Sequence, residues 1–472
     1  MLNKLSLRNF KAFKNMTDLE IKPITIIAGK NSCGKSSIIQ SLLLLKQTLE
    51  SPLPVNLCLD GRFIKCSSLK ELAYRLPAIN RASIGYDLHF KNRSLSLTFS
   101  NKKENDTYVP KIVGRTIKNH DGISENIQKL TNKKLAEMLN DLRFPHKIKK
   151  IIKKEIQYNK FTPELVNFEY YSDGDDEKIH SGSVPVFLIT DLDGHSRHIN
   201  KEIQNFKYLS PVRAMPERAY LHYSPQVDEL LSDGSNAAHL LWSKKDEKVL
   251  WKNEELKLSV AVNKCIECLG LSQKMTPSKI GDVLYTIGVS ENLSGDNVSL
   301  SDVGFGYSQI LPVILMGLVN QKDDCLILLE QPEIHLHPSS AANLADLFLG
   351  FIECGTRYII ETHSQELINK LRLRVIEKPE LKDKINIVFV DSDNVNGASI
   401  RQFSIDENGM FPEWPEGFLD ESEKISESII KARVNKRKEM RKNSLTEEKK
   451  DGIYAHAQIP EINNPSENMG RE

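Results

Sequence analysis

Apolar and polar residues alternate from Leu2 to Leu7, the period of a half-buried strand, and Leu19 to Ile21 predicts a second one. The apolar run Ile24-Thr25-Ile26-Ile27 then leads through a polar, glycine-containing stretch into Ser37–Leu49. That segment is apolar on most faces, which predicts a helix buried against a sheet. Alternation returns over Ala82–Phe99 as two strands joined at Lys91-Asn92-Arg93, an antiparallel hairpin. Residues 101–183 are rich in Lys and Asn and poor in apolar side chains, and are expected to form a helical insertion. Within it, Lys147, Lys149, Lys150, Lys153 and Lys154 would lie along a broad helical face, opposite a stripe of Ile148, Ile151 and Ile152.

Strand character resumes over Val184–Leu192 and at Phe206–Leu209, the latter running into a loop that carries Arg213 and Arg218. An apolar helix is expected from Ile310 to Leu318, followed by Cys325–Leu329, an unbroken apolar run that fits a strand covered on both faces. Arg357–Ile360 repeats the strand-then-polar pattern, and Ile385–Val390 with Ser399–Ile405 closes as a strand pair around Asn394–Gly397. Glu413–Phe418 turns the chain, and from Glu421 the sequence is highly charged, with Lys431, Arg433, Lys436, Arg437, Lys438, Arg441 and Lys442 on an expected helix. The final stretch is polar and without periodicity. The expected organisation is therefore an α/β domain in two halves, 1–100 and 184–420, split by the insertion 101–183 and followed by a basic helix and tail, 421–472.

Composition narrows this reading. The 472 residues leave room for two or three domains at about 150 residues each. With 40% hydrophobic and 27% charged residues the chain has the profile of a globular protein rather than a disordered or membrane one. Its longest apolar stretches fall short of the roughly 18 residues that a spanning helix needs, and Met1–Phe10 lacks the layout of a secretory signal, so a cytoplasmic protein without membrane association is expected. Seven cysteines show no disulfide framework, and the lone Cys265/Cys268 pair reads as two small residues on a helix. A net charge of +1 excludes a generic polyanion binder, although the insertion lysines could follow a nucleic-acid backbone or form a solvated face.

The strongest chemistry lies in Gly29-Lys30-Asn31-Ser32-Cys33-Gly34-Lys35-Ser36, between a strand and a helix. The spacing GxxxxGK[ST] is that of a phosphate-binding loop, in which the N–H groups from Gly29 to Ser37 and the helix N-terminus face phosphate. Lys35 is expected to reach the β/γ-phosphates, and Ser36 to hold Mg²⁺. Ser301, Gly304 and Gly306 precede the second apolar helix, where a phosphate could bind or Ser308 could simply cap the helix. Glu330 ends the buried strand, where a carboxylate can hold Mg²⁺ through water; Gln331 and Glu333 follow it. His335 and His337 fit a polar turn better than a metal site. His363 falls at the same sheet edge, beside the expected γ-phosphate. Arg213 and Arg218 could meet a phosphate or form salt bridges.

Taken with Leu7-Arg8-Asn9-Phe10, Asp302-Val303-Gly304-Phe305-Gly306, Glu330–Pro338 and Glu361-Thr362-His363-Ser364, this order resembles an ATPase domain of the ABC/SMC superfamily. More narrowly it is similar to the bacterial overcoming-lysogenisation-defect-like AAA-family ATPases. The resemblance implies a P-loop NTPase of ABC/SMC-head type with a mixed sheet and an antiparallel hairpin lobe, binding ATP and Mg²⁺. It further implies that Lys35 and Ser36 belong to Walker A, Glu330 is the Walker B acid, His363 is the switch histidine and Ser301–Gly306 is the signature segment. The signature segment would close on the nucleotide of a second copy in a head-to-head dimer. One position departs from the pattern: the general base usually found after the Walker B acid is Gln331, which cannot take a proton. Glu333 is then expected to substitute, or turnover to be slow. Tyr208-Leu209-Ser210-Pro211-Val212-Arg213 and Trp414–Phe418 resemble segments of the PtuA-type ATPases of the Septu anti-phage defence system, which work with the HNH nuclease PtuB. A RecF-like DNA-repair clamp and a nucleotide-bound scaffold remain the alternatives.

Overall fold

The structure is a computed structural model that describes residues 1–119, 124–142, 147–189, 193–221, 229–281, 284–290, 298–321, 325–393, 395–411 and 424–440. Among these, twelve strands form the main sheet: β1 (Leu2–Phe10), β2 (Phe13–Glu20), β3 (Ile24–Gly29), β4 (Ser83–Phe90), β5 (Arg93–Glu104), β6 (Thr107–Asn119), β7 (Ser124–Glu125), β8 (Lys207–Leu209), β9 (Leu326–Glu330), β10 (Arg357–Glu361), β11 (Ile385–Asp393) and β12 (Gly397–Phe403). Their order is β8-β9-β10-β3-β11-β12-β2-β1-β4-β5-β6-β7. The first five are parallel, and every later pairing is antiparallel. This is the mixed α/β sheet that the sequence implies, with the hairpin β4–β5 as its antiparallel extension.

Parallel strands need coverage on both faces, and the sequence supplies it. All five residues of β9 and of β10 are buried. Helix α1 (Lys35–Glu50) packs on β3 and β10 and buries thirteen of its sixteen residues. Helices α2 (Phe305–Val319), α3 (Pro338–Glu353) and α4 (Gln365–Glu377) complete the α/β core, and α4 packs against α3. A chain of aromatic contacts, Phe10–Tyr86, Tyr86–Phe99 and Phe99–Phe161, carries the core from the sheet into the insertion.

The insertion corrects the sequence reading. Among its described residues, apart from the helix Asn132–Asp141 and a 3-10 turn at Ile127–Lys129, it is built from strands: β6, then Ile148–Asn159, Thr162–Ser172 and Asp175–Pro185, the last three forming a separate antiparallel sheet. The lysine run lies on the strand Ile148–Asn159, not on a helix. Register shifts between Ile148/Lys150 and between Ile151/Lys153 explain the misreading. The first bulge adds a residue, so the buried positions Ile148 and Ile151 fall three apart and imitate one face of a helix. Lys149, Lys150 and Lys153 are exposed and Lys154 is half-buried; Lys147 pairs with Asp173 and Lys153 with Glu169 at 3.4 and 3.9 Å. Val184 and Pro185 end a strand and Val186–Leu188 form a 3-10 turn, so the strand expected over Val184–Leu192 is not continued.

Two polar side chains join the insertion to the main sheet. Arg115, 2% exposed, donates from Nε to the Phe161 carbonyl at 2.8 Å and from Nη2 to Ser196 Oγ at 2.6 Å. Asn56 accepts from the Ile112 N–H at 3.3 Å and donates to the Tyr158 carbonyl at 3.4 Å, bridging β6 to the strand Ile148–Asn159.

Residues 414–472 form a second unit, of which 424–440 are described as an exposed helix. Asn394, the Trp414–Phe418 segment and residues 441–472, including Arg441 and Lys442, lie outside the described residues.

Replacing Arg115 by Ala removes a buried cation and leaves the Phe161 carbonyl without that donor. A loss of about 2–4 kcal/mol is expected, read as a lower urea midpoint of unfolding.

Candidate functional site

The site forms where the parallel strands end. Strand β3 lies between β10 and β11, and the chain leaving it at Gly29 turns at once into the loop. Gly29 has φ +147°, and a Cβ there would lie 2.2 Å from the Val390 carbonyl oxygen of β11. Gly34, at φ +108°, is the residue before α1 and packs against Ala12 at a distance that admits no Cβ. Both glycines are thus required by the backbone as well as by the motif. Asn31 and Ser32 are exposed; Cys33 is buried beneath the loop, and burial pushes its thiol pKa up. Ser37 is also buried, and its N–H donates to the Gly34 carbonyl at 3.0 Å.

Lys35, 4% exposed, donates from Nζ to the carbonyls of Lys30 and Gly29 at 2.7 and 3.1 Å. The ammonium thereby ties the first residue of α1 to the start of the loop. Ser36 does not meet Glu330. Its hydroxyl donates instead to Glu361 Oε1 at 3.0 Å. Glu330 and Glu361 are register partners at the ends of β9 and β10, so two carboxyl groups stand side by side. Tyr208 of β8 donates to Glu330 Oε1 at 2.9 Å.

Burial sets the ionisation of this pair. It pushes the Glu330 carboxyl up to about 7, helped by the neighbouring Glu361 and opposed by the Tyr208 hydrogen bond. Glu361 is also raised, chiefly by burial, with Ser36 and Lys35 acting the other way. Tyr208 is raised too, by burial and then by the Glu330 carboxylate, so it stays a donor.

The residues after Glu330 bend sharply. Gln331 has φ +46°, its N–H donates to the Glu361 carbonyl at 2.7 Å, and its side chain is half-buried. Arg213 supports the bend from beneath: Nη2 donates to the carbonyls of Glu330 and Gln331, both at 3.2 Å. This guanidinium is 6% exposed and burial brings its pKa down to about 10. Arg218 instead makes an exposed salt bridge to Asp302 at 3.1 Å. Glu333 accepts from the backbone N–H of His363 at 2.8 Å through Oε1, while its buried Oε2 has no partner. The His363 side chain is exposed, and burial of part of the ring together with Lys35 lowers its pKa, keeping it neutral near pH 7.

The structure thus brings the loop, Glu330, Gln331, Glu333 and His363 to one sheet edge. Ser301, Gly304 and Gly306 gather around the N-terminus of α2. Ser301 shares a hydrogen bond with Ser299 at 3.0 Å, and a Cβ on Gly304 would meet nothing within 4 Å. Gly306 packs on the His335 carbonyl, and the Phe305 ring meets the His335 ring edge-on at 4.8 Å. His337 caps α3. Tyr208 and Glu361 are the participants that the sequence reading did not assign. Glu361 carries the same signal as Glu330, an acid ending an apolar strand, and Tyr208 lies within a segment noted for other reasons.

The donors fit a nucleotide-bound Mg²⁺. Ser36 Oγ and the Glu330 and Glu361 carboxyls are hard oxygen groups, and Glu361 Oε2 is buried without a partner. Mg²⁺ bound with a nucleotide takes one or two carboxylates and substrate phosphates, and these residues can supply the protein's share.

Because the folded-state pKa of Glu330 lies above the ordinary 4.5, the folded protein holds this proton longer than the unfolded chain does. That contribution to stability is complete below about pH 4.5 and is lost as pH rises through about 7, by an amount on the order of 3 kcal/mol. Glu330→Gln is expected to raise the melting temperature of the ligand-free protein at pH 8 and to change it little at pH 5.

The AAA ATPase domain family matches residues 1–368, and a second family, described as a protein of unknown function, matches residues 382–427. A curated relative, Endonuclease GajA of Bacillus cereus (strain HuB5-5), is 25% identical over 409 residues, covering 78% of this chain. The chain spans 56% of the length of that relative. Among solved structures, an SMC head bound to the C-terminal winged-helix domain of ScpA covers 86% of this chain and 98% of its own at a TM-score of 0.40 and 11% identity. The SMC head domain from Thermotoga maritima covers 85% and 98% at 0.35 and 13%. The family match takes in the phosphate loop, the Glu330 strand end and His363 within one continuous stretch, and on that match the chain belongs to the AAA ATPase domain family.

Proposed function

We propose that this ATPase is an ATP-gated regulator in anti-phage defence that controls a partner nuclease. The observation that carries the reading is the pairing of a complete phosphate loop with Gln331 at the position after Glu330. Lys35 exchanges its bonds to the Gly29 and Lys30 carbonyls for the β/γ-phosphates of ATP, which couples nucleotide binding to the loop. The N–H groups of Gly29, Asn31, Ser32, Cys33, Gly34, Lys35 and Ser36 line the phosphates, backed by Ser37, whose N–H is held by the Gly34 carbonyl, and Ser36 and Glu330 would hold Mg²⁺. That ion, when bound, supplies neutralisation of the phosphate charge.

The Gln331 amide orients water but takes no proton from it. The unpartnered Glu333 Oε2 is the available base, and neutral His363 offers a ring nitrogen to the γ-phosphate side. Turnover by this set is slow, so ATP binding holds one state and hydrolysis resets it. A second copy of the chain supplies Ser301, Gly304 and Gly306 across the nucleotide, consistent with the open space beside Gly304.

The likeness to a protein named an endonuclease supports a link to nuclease action, and the Septu-like segments favour a separate HNH nuclease of PtuB type as partner. Lys147, Lys149, Lys150, Lys153 and Lys154 offer point charges for non-specific DNA contact.

Lys35→Ala is expected to abolish ATP binding and hydrolysis; wild-type affinity and turnover in this variant would overturn the assignment. Co-purification with neighbouring gene products, followed by nuclease assays with and without ATP, tests the regulatory role, and ATP-independent cleavage would refute it. Charge reversal of Lys149, Lys150, Lys153 and Lys154 to Glu should weaken DNA binding and flatten its salt dependence; an unchanged salt slope removes DNA from the reading.

A further inference from the structure

The hydroxyl of the phosphate loop turns away from the acid that ends β9. Ser36 Oγ lies 3.0 Å from Glu361 Oε1, at the end of β10. Strand β10 stands between β3 and β9, so Glu361 is one strand nearer to the loop than Glu330. Neighbouring strands lie about 4.8 Å apart, roughly the difference between touching an ion at Ser36 and reaching it through water. Glu330 Oε1 is meanwhile taken by the Tyr208 hydroxyl on its far side.

Glu361 is 5% exposed and its Oε2 is buried with no hydrogen-bond partner. Its backbone carbonyl accepts from the Gln331 N–H, which fixes the strand end that carries the side chain. A purely structural role for the Ser36–Glu361 bond would satisfy Oε1 and leave Oε2 unexplained. A cation beside the loop accounts for both oxygens: Oε1 orients the Ser36 hydroxyl, and Oε2 faces the ion directly or through water.

We propose that Glu361 is the principal carboxylate positioning the divalent cation of the nucleotide, with Glu330 contributing from one strand further out. This rests on the ATPase reading of the same site and adds a residue and a division of labour to it. Glu361 acts on the ion and on Ser36, and is a positioning residue.

The test is the affinity of the full chain for a fluorescent ADP analogue, measured in EDTA and again with Mn²⁺, alongside Mn²⁺ binding followed by electron paramagnetic resonance. Glu361→Gln is expected to lose at least about tenfold of the gain that Mn²⁺ gives the wild type, the gain being taken for each protein relative to its own affinity in EDTA. Glu361→Asp should recover part of that gain, and Glu330→Gln should lose less of it than Glu361→Gln. Retained affinity in EDTA reports that the variant is folded. An unchanged Mn²⁺ gain in Glu361→Gln, or a larger loss in Glu330→Gln, overturns the proposal. Loss of the metal-free affinity in Glu361→Gln, not restored by Asp, assigns the residue to holding the loop and overturns it as well. Failure of the wild type to bind nucleotide in either condition removes the ATPase reading itself, an outcome distinct from failure at Glu361 alone.

Discussion

Two carboxyl groups buried side by side at the ends of adjacent parallel strands constrain everything around them. Glu330 and Glu361 are placed by register, and neither can be moved without shifting a whole strand of the sheet. Burial and their mutual repulsion disfavour two charges here and raise both carboxyl pKa values, Glu330 to about 7. Tyr208 and Ser36 each supply one hydrogen bond to this pair, from β8 and from the start of α1. The site is thereby held by four separate elements.

The second constraint is the bend that follows. Gln331 adopts a left-handed conformation rare for a residue with a side chain. Arg213 holds both carbonyls of the bend, and the Glu361 carbonyl holds its N–H. The loop after β8 and the end of β10 therefore share control of where Gln331, Glu333 and His335 point. Since Gly306 and Phe305 rest on His335, the same bend connects the sheet edge beside the phosphate loop to the N-terminus of α2.

Much of this was legible in the sequence, for physical reasons that differ by residue. The phosphate loop announces itself because Gly29 and Gly34 are demanded by backbone geometry, and Lys35 and Ser36 by chemistry, at fixed spacing. The strands β3, β9 and β10 were visible as short apolar runs, since burial on both faces leaves no room for alternation. The lysine strand Ile148–Asn159 reads as a helix because a bulge between Ile148 and Lys150 sets its buried residues Ile148 and Ile151 three apart. Glu361 went unassigned although the residues around it were noted. Its importance depends on which strands are neighbours, and the position of β10 between β3 and β9 is a fact of long-range order that no local pattern carries.

Asn56 has a consequence beyond joining two sheets. Among the described residues, the outer side of β6 before Ile117 has no partner strand, and neither has the outer side of Ile148–Asn159. Such borders are templates onto which other chains can add, and so a route to aggregation. The Asn56 amide occupies a rung on each border, Pro110 withholds a donor from one, and the bulges spoil the spacing of the other. A single carboxamide on a connecting segment thus serves as a stopper, keeping two adhesive borders of this protein turned toward each other rather than toward its neighbours.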